Sequence, residues 1–223
     1  MSSPQPHFTL FSMKGLPPNP WKVVMILEEL GLEYESVYLD IGKGDHKLES
    51  HTKHNPNGRA PTLIDHKNND FVVWESCAIV QYLVEKYDTE RKISFAGFED
   101  RILLSQWLFF QASGQGPYFG QAGWFTFFTP RRSRAHRTVP QGDVRVIGVL
   151  DATLATRQWL VGDKPSAADL SFVVESCRGE GRSCGWDGLK VDEFPHFKRW
   201  HNELLARPAV AKTIAMWDET RSG

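Results

Sequence analysis

Cysteine is scarce in this sequence: among 223 residues there are three, Cys77, Cys177 and Cys184. A small, odd set without Cys-x-x-Cys spacing excludes a disulfide-rich scaffold and favours a reducing compartment, so we expect a cytoplasmic protein. The eight histidines form no His-x-x-x-His pair. The sequence therefore gives no support for a metal site.

Long apolar runs and a charge excess of either sign are also missing. No stretch of about eighteen apolar residues is present, so we expect no membrane span. Basic and acidic residues number 26 and 27, for a net charge of −1, and this balance creates no field that would attract nucleic acid or an anionic membrane. Residues 1–7 contain no basic and then apolar signal region, and we expect a disordered lead-in there.

The ordered part begins with a strand–helix–strand pattern. Apolar alternation predicts one strand over Phe8 to Ser12 and another over Tyr34 to Ile41. Between them, Asn19-Pro20 is a helix-start signal, because Asn favours the N-cap and Pro the first helical position. Gly31 is expected to end that helix. Two strands joined through a helix favour parallel pairing.

Two further strands and a helix complete this first region. Residues 45–53 are polar and weakly helical. Strands are predicted at 62–65 and 71–74, joined by a turn, and an apolar stripe at helical spacing predicts a helix over 76–87. The resulting order, βαβ-α-ββα, is an α/β domain with a mixed four-stranded sheet. That is the thioredoxin-like order.

The rest of the chain is expected to be all-α. A long aromatic stretch with helical spacing covers residues 102–128. Pro117 lies inside it and predicts a kink, because it removes the hydrogen bond to the carbonyl of Ser113. Residues 129–142 are basic and contain proline, which favours a loop or a frayed helix. Helical spacing then resumes over 144–159.

A capping box, Ser166-Ala167-Ala168-Asp169, is expected to begin the next helix. Two closing helices are predicted over 194–205 and 209–217. The predicted domains are a thioredoxin-like domain over 8–88, a linker over 89–98 and a helical domain over 99–223.

The most informative stretch runs from Asn55 to Asp65 and is followed ten residues later by Glu75-Ser76. Turn-forming residues lead into Ala60-Pro61, and a proline at a strand start marks an edge, a bulge or a cis bond. A serine hydroxyl with free amides at a helix N-terminus binds anions. These features fit a peptide-like ligand with a free carboxylate. The plainer alternative is a loop, a strand and a capped helix that bind nothing.

These motifs, in this order of elements, resemble the cytosolic glutathione S-transferases from about Phe8 to Trp217. The stretches that carry the superfamily resemblance are Arg59-Ala60-Pro61-Thr62-Leu63, Glu75-Ser76, and Trp159-Leu160-Val161-Gly162-Asp163 with the capping box. More specific stretches resemble the Nu-type branch, which includes a yeast nitrogen regulator that forms a prion and many fungal transferases. Those stretches are Pro18 to Val23, Asn55 to Pro61 and Trp107 to Gly114.

The resemblance implies a glutathione site in the first domain, with glutathione as co-substrate. It implies a cis bond before Pro61 and pairing of the Ala60 main chain with the cysteinyl amide of glutathione. Glu75 would face the γ-glutamyl ammonium and Ser76 its carboxylate. The implied glutathione-binding residues are His46, Arg59, Ala60, Pro61, Glu75 and Ser76. His46 would reach the glycyl end; from the residues alone it is equally well explained as a solvated surface histidine.

Asn19 is the implied catalytic residue. The thiolate of glutathione is the nucleophile, and an ordinary thiol has a pKa near ~8.5. The first strand offers Ser12 but no Tyr or Cys, whereas the Nu-type branch places an Asn at the start of the first helix. Its amide could donate to the sulfur, beside the positive helix N-terminus. Ser12 is the second candidate activator, and ordinary capping by Asn19 is the alternative to catalysis.

In this fold the second substrate binds beside the glutathione thiol. Candidate wall residues are Phe11, Met13, Leu16, Phe119, Gly123, Trp124 and Phe127. Such a wall suits an apolar small molecule with an electrophilic carbon. The alternative is that these side chains serve core or dimer packing. Residues 129–142 and 177–186 depart from the family pattern and leave the substrate's identity open.

The leading hypothesis is therefore a glutathione transferase, and the resemblance also implies a homodimer. Three alternatives stay open: a glutathione-dependent double-bond isomerase of secondary metabolism, a glutathione-dependent disulfide or peroxide reductase, and a non-catalytic regulator of the same fold. Asn19→Ala would leave every activity unchanged if the chain were a regulator.

Overall fold

The computed structural model describes residues 5–15, 18–121, 135–176 and 191–222. Four of the candidate residues above, Leu16, Gly123, Trp124 and Phe127, lie outside these ranges, as do Cys177 and Cys184. By internal contacts the chain forms two compact units, residues 1–92 with 208–223, and residues 93–207.

The elements follow the predicted order. The strands are β1 (Phe8–Met13), β2 (Tyr34–Leu39), β3 (Thr62–Asp65) and β4 (Phe71–Trp74), and short 3₁₀ turns cover Asp45–Lys47 and His66–Asn68. The helices of the first half are α1 (Pro18–Leu30), α2 (Glu49–Thr52) and α3 (Ser76–Tyr87). The others are α4 (Phe98–Phe110), α5 (residues 116–121), α6 (Ala135–Leu154), α7 (Ala167–Ser176), α8 (Pro195–Leu205) and α9 (Pro208–Ser222).

The sheet of the first unit is mixed and four-stranded, as predicted, with strand order β2-β1-β3-β4. β1 runs parallel to β2, with Phe8 opposite Tyr34. β3 is antiparallel to both of its neighbours: Thr62 lies opposite Phe11 of β1 and opposite Trp74 of β4. This register confirms the thioredoxin-like arrangement.

The core of the first unit forms between the sheet and α1. Phe8 and Leu10 of β1 and Ile26 of α1 are fully buried, and removing such side chains from water supplies about 2 kcal/mol each. Residues 5–7, expected in a disordered lead-in, continue this packing. The His7 ring stacks on Phe8 at 4.0 Å, and the His7 carbonyl accepts a hydrogen bond of 3.0 Å from the His66 amide.

Helix α9 belongs to the first unit, although its sequence position had placed it in the helical domain. It packs on α1, where the Trp217 ring stacks on Trp21 at 6.1 Å. Lys212 Nζ and Glu28 Oε2 form an ion pair of 2.7 Å between the same two helices. A helix at the end of the chain therefore completes the burial of a helix near its beginning.

The second unit is helical, and its aromatic stretch departs from regular helix earlier than expected. A π-helical turn occupies Gln111–Gln115, between α4 and α5, so the distortion lies before Pro117. Gln115 Nε2 holds this wide turn to α7, donating to the Phe172 carbonyl at 3.0 Å and to Ser176 Oγ at 3.2 Å. Helix α6 begins at Ala135, within the segment expected to be a loop or a frayed helix.

The predicted capping box at the start of α7 is confirmed and is fully buried. Asp169 Oδ2 accepts from Ser166 Oγ at 2.6 Å and from the Ser166 amide at 2.9 Å. Asp169 Oδ1 accepts from the Leu160 amide at 2.9 Å and from Trp200 Nε1 at 2.8 Å. Four donors from three segments thus converge on one carboxylate. None of the helices in the described ranges is long and apolar enough to cross a membrane.

Candidate functional site

The strand register brings the predicted site residues to one end of the sheet. Because Thr62 pairs with Phe11 and with Trp74, Ala60-Pro61 lies beside the end of β1 and beside the end of β4, where Glu75 follows. Parallel pairing of β1 and β2 places the end of β2, which leads toward His46, at the same edge. Segments far apart in sequence therefore meet there.

The turn before β3 is held from inside by a buried asparagine. Asn55, 2% exposed, donates from Nδ2 to the Arg59 carbonyl at 2.8 Å and to Thr62 Oγ1 at 2.9 Å. His51 Nε2 also lies 3.1 Å from the Arg59 carbonyl. The Ala60–Pro61 bond is cis. The main chain at Ala60 is thus fixed from its inner side, while the Arg59 side chain stays exposed.

His46 sits against the same turn and is half-buried. Gly58 approaches it so closely that a Cβ there would lie 2.9 Å from the His46 carbonyl, and its φ of +60° also favours glycine. His46 Nδ1 is buried and has no hydrogen-bond partner among the residues that the structure describes. A buried ring nitrogen without a partner is costly, so a ligand group that paired with it would be stabilised.

The start of α3 receives no capping bond from its N-cap side chain. Glu75 occupies the N-cap position but makes no side-chain capping bond there, and its φ of +72° is unusual for a residue with a side chain. Ser76 follows as the first helical residue and is buried. Free amides at a helix start attract a negatively charged group. This geometry fits the predicted carboxylate site.

Asn19 lies within the first turn of α1, two positions further into the helix than predicted. The helix begins at Pro18, so Asn19 is its second residue and not its N-cap. Asn19 Oδ1 accepts from Lys22 Nζ at 3.1 Å and from Ser76 Oγ at 3.2 Å. Because an ammonium group can only donate, its partner must be the amide oxygen. The amide NH₂ is therefore the end of Asn19 left to donate elsewhere.

Lys22 is the site residue that sequence analysis missed. It is 1% exposed, and its Nζ donates to Ser76 Oγ at 3.0 Å as well as to Asn19. A lysine three residues after Asn19 usually marks the solvated face of a helix. The signal that could have indicated its burial is its position next to Val23, on a predicted helix that is apolar on most sides.

Ser12, the second candidate activator, faces the core. It is 1% exposed and shares its side of β1 with Phe8 and Leu10, both fully buried. Its Oγ has no hydrogen-bond partner in the described part of the chain. The register thus brings Ser12 to the correct end of the sheet but turns its hydroxyl into the packed interior.

Three of the predicted substrate-wall residues can be placed. Phe11 is half-buried and stacks on the His54 ring at 5.7 Å. Burial, followed by the charges of Lys53 and His51, lowers the pKa of His54, which favours the neutral form of the ring beside Phe11. Met13 is buried in the first unit, and Phe119 is buried in the second.

The second unit also buries the carboxyl group of Asp143, whose pKa is raised. Burial and the nearby charge of Glu175 raise the pKa of Asp143 to about 7. Asp143 is 2% exposed, and its Oδ1 lacks a hydrogen-bond partner within the described ranges. No group of three or more His, Cys, Asp or Glu in those ranges is placed to hold a metal ion.

Two family models match the chain. The model of the glutathione S-transferase N-terminal domain covers residues 6–85. The model of the glutathione S-transferase C-terminal domain covers residues 117–208. Together they account for most of both compact units.

Similar proteins come from fungi. Glutathione S-transferase 2 of Schizosaccharomyces pombe is 49% identical over 220 residues, with 93% of this chain and 95% of the relative covered. The crystal structure of the glutathione transferase URE2P5 from Phanerochaete chrysosporium superposes with a TM-score of 0.92 at 50% identity, covering 99% of this chain and 98% of that one. Ure2p in complex with glutathione gives a TM-score of 0.86 at 35% identity, covering 95% and 100%. The chain belongs to the glutathione S-transferase family, among its Ure2-like fungal members.

Proposed function

We propose that this chain is a glutathione transferase in which Asn19 activates the thiol. The observation that carries this proposal is the orientation of Asn19: Lys22 and Ser76 both donate to its Oδ1. Its NH₂ can then donate to a sulfur at the start of α1. The main-chain amides of the first helical turn add a positive potential at the same place.

The energies suffice for a useful pKa shift. Lowering a thiol pKa by about two units requires roughly 2.7 kcal/mol of preferential stabilisation of the thiolate. One hydrogen bond to a charged acceptor contributes about 1.5–3 kcal/mol, and a helix N-terminus adds about 0.3–1 kcal/mol. Asn19 and its helix together therefore supply the needed amount without a Tyr, Ser or Cys activator.

The other predicted residues would hold glutathione along its length. The Ala60 main chain before Pro61 would pair with the cysteinyl amide, and the exposed Glu75 would face the γ-glutamyl ammonium. Ser76 and the open start of α3 would take the γ-glutamyl carboxylate. His46 would meet the glycyl end, near Arg59. The complex of the neighbour Ure2p with glutathione supports this class of ligand.

An apolar electrophile is the proposed second substrate. A related structure, Ure2p5 from Phanerochaete chrysosporium, was cocrystallised with 1-(S-glutathionyl)-2,4-dinitrobenzene, a conjugate with an aromatic ring. The proposed wall contains Phe11, Met13 and Phe119, with Leu16, Gly123, Trp124 and Phe127. The aromatic and sulfur-containing side chains among them suit a flat apolar ring.

The test is Asn19→Ala assayed with the aryl chloride that yields this conjugate. In that reaction the sulfur–carbon bond forms, chloride leaves and the thiol proton passes to solvent. We expect kcat/KM to fall about a hundredfold, which corresponds to about 2.7 kcal/mol, and the pKa of bound glutathione to rise by about two units. Ser12→Ala is the matched control and should change neither quantity. Unchanged turnover in Asn19→Ala would refute activation by Asn19, and absence of turnover in the parent protein would favour a regulatory protein.

Disulfide reduction is a second candidate activity. Two similar structures, URE2P6 and URE2P8 of Phanerochaete chrysosporium, contain oxidized glutathione, so related sites accept a disulfide. Incubation of the protein with glutathione and a small mixed disulfide, followed by measurement of oxidized glutathione, tests this activity. No release above the uncatalysed rate would exclude it.

We also propose a homodimer, supported by an exposed apolar stripe on α4. Phe98, Ile102 and Phe109 share one side of this helix, with 63%, 52% and 70% of their surfaces exposed. Such a patch is unusual on a monomer. Light scattering should give twice the chain mass of 25.4 kDa, and Phe109→Asp should shift the mass toward the monomer. A monomeric parent protein would contradict the proposal.

A further inference from the structure

Lys22 contacts both ends of the proposed site, the thiol end and the γ-glutamyl end. Its Nζ lies 3.1 Å from Asn19 Oδ1, 3.0 Å from Ser76 Oγ and 3.6 Å from Cys77 Sγ. Asn19 belongs to the proposed thiol end of the site, and Ser76 to the γ-glutamyl end. A single ammonium group, 1% exposed, therefore contacts one residue of each end.

Burying an ammonium group is expensive unless acceptors surround it. An apolar residue in this position of α1 would fill the same space without that cost. A lysine here therefore has a reason beyond packing, and the two side-chain oxygens that it contacts belong to Asn19 and Ser76.

We infer that Lys22 is a positioning residue, which orients the Asn19 amide and keeps it oriented when Ser76 turns to the ligand. This inference rests on the proposed role of Asn19. The Ser76 hydroxyl donates its single proton to Asn19 Oδ1. A serine hydroxyl has only one proton to donate, so a carboxylate that receives it takes it from Asn19.

Lys22 compensates for that loss. With three protons, its ammonium group can donate to Asn19 Oδ1 and Ser76 Oγ at once. When the Ser76 proton moves to the ligand carboxylate, Lys22 remains as donor to Asn19 and the amide keeps its NH₂ facing the thiol. Its positive charge also polarises the amide, which makes the NH₂ a stronger donor.

The test measures the pKa of glutathione bound to the protein, from the ultraviolet absorbance of its thiolate, in Lys22→Met. Methionine keeps the length of the side chain and removes the charge and all three donors. We expect the thiol pKa to rise by about one unit, and kcat to fall about tenfold at a pH below both pKa values. Lys22→Arg keeps the charge and the hydrogen-bond donors, so its kcat should stay within about threefold of that of the parent protein.

A double-mutant cycle separates orientation from simple charge. In the Asn19→Ala background, Lys22→Met should leave the thiol pKa unchanged, because no amide remains to be oriented. A full shift in that background would overturn the inference, since Lys22 would then act on the thiol by charge alone. If Asn19→Ala itself has no effect, the proposed function fails; if it acts and Lys22→Met does not, only this inference fails.

Ser76→Ala tests the same inference with Lys22 intact, and so covers the case in which Lys22→Met does not fold. It removes one donor to Asn19 and retains the other. We expect the thiol pKa to stay within about 0.3 units of the parent value. A rise as large as that of Asn19→Ala would show that Ser76, and not Lys22, orients the amide, and would overturn the inference.

Discussion

The starts of two helices, α3 in the first unit and α7 in the second, differ in how they are capped. At α7, the Asp169 carboxylate is surrounded by donors from Ser166, Leu160 and Trp200. At α3, Glu75 makes no capping bond and has a left-handed φ of +72°. Both starts need negatively charged or acceptor groups to satisfy their amides.

This difference in capping distinguishes a helix start that stabilises the fold from one that can bind a ligand. A start that is closed by its own chain stabilises the fold and has no room for a ligand. A start that is left open, with strained backbone, loses stability that a bound anion can restore. The open start lies at the sheet end that gathers the proposed site residues, whereas the closed one is buried in the second unit. Substitutions at the two starts should therefore affect different quantities.

The largest expected effect is at the closed start. Asp169→Ala leaves the Ser166 and Leu160 amides and Trp200 Nε1 buried without their acceptor. At about 1–3 kcal/mol for each buried donor without a partner, we expect a loss of about 4 kcal/mol in the free energy of unfolding, measured by urea denaturation. Asp169→Asn keeps an acceptor and should lose less. A loss below about 1 kcal/mol for Asp169→Ala would contradict the closed-start description.

A second buried carboxyl of the same unit sharpens the contrast, because Asp143 has no comparable set of donors in the described residues. With a pKa of about 7 in the fold and 3.8 unfolded, the native state holds a proton that the unfolded chain has released between these pH values. The contribution of Asp143 to stability must therefore fall as pH rises from about 4 to 7. Asp143→Asn should flatten this fall and gain about 2 kcal/mol at pH 8, measured by denaturation at several pH values. If the stability of the parent protein and of Asp143→Asn depended on pH in the same way, the proposed protonation of Asp143 would be refuted.

At the open start, Ser76→Ala should affect binding more than stability. Loss of one hydrogen bond to a carboxylate should raise the KM for glutathione about tenfold, or about 1.4 kcal/mol. The melting temperature should also fall, but by less, because the buried Lys22 ammonium loses Ser76 Oγ and keeps Asn19 Oδ1 as an acceptor. Thr at this position is the matched control and should retain most of the affinity. A large loss of stability with unchanged KM would show that α3 is capped for folding.

The smallest effect should have opposite signs for stability and binding. Glu75→Gly relieves the left-handed φ and should stabilise the free protein by about 1 kcal/mol. The same change removes the carboxylate proposed to face the γ-glutamyl ammonium, so glutathione should bind more weakly by titration calorimetry. Glu75→Ala, which keeps the strain, is the control and should weaken binding without the gain in stability. Tighter binding by Glu75→Gly would contradict the proposed contact.

Most of the fold could be predicted because its signals are local. Short apolar segments predicted the four strands, and the capping-box residues predicted the start of α7. The π-helical turn at Gln111–Gln115 could not be predicted, because it depends on contacts of Gln115 with α7, far along the chain. The packing of α9 on α1 could not be predicted for the same reason: its own sequence does not show that Trp217 stacks on Trp21.

The site was predicted in outline, through resemblance and turn chemistry, but its inner layer was not. Asn19 and Ser76 were identified, yet their direct hydrogen bond joins residues 57 positions apart. Lys22 was overlooked because a lysine is usually solvated, and only the acceptors around it explain its burial. Ser12 has the correct position in the chain, and only the pleat of β1 shows that it faces inward.

The packing of α9 on α1 also determines when the first unit can be finished during synthesis. Residues 1–92 are translated before the second unit, whereas the helix that packs on Trp21 is translated after it. Until Trp217 leaves the exit tunnel, the outer side of α1 has no partner in this unit, although Asn19 and Lys22 are already translated. The nascent chain therefore carries an unfinished first unit throughout the translation of residues 93–207, and emergence of α9 completes that unit.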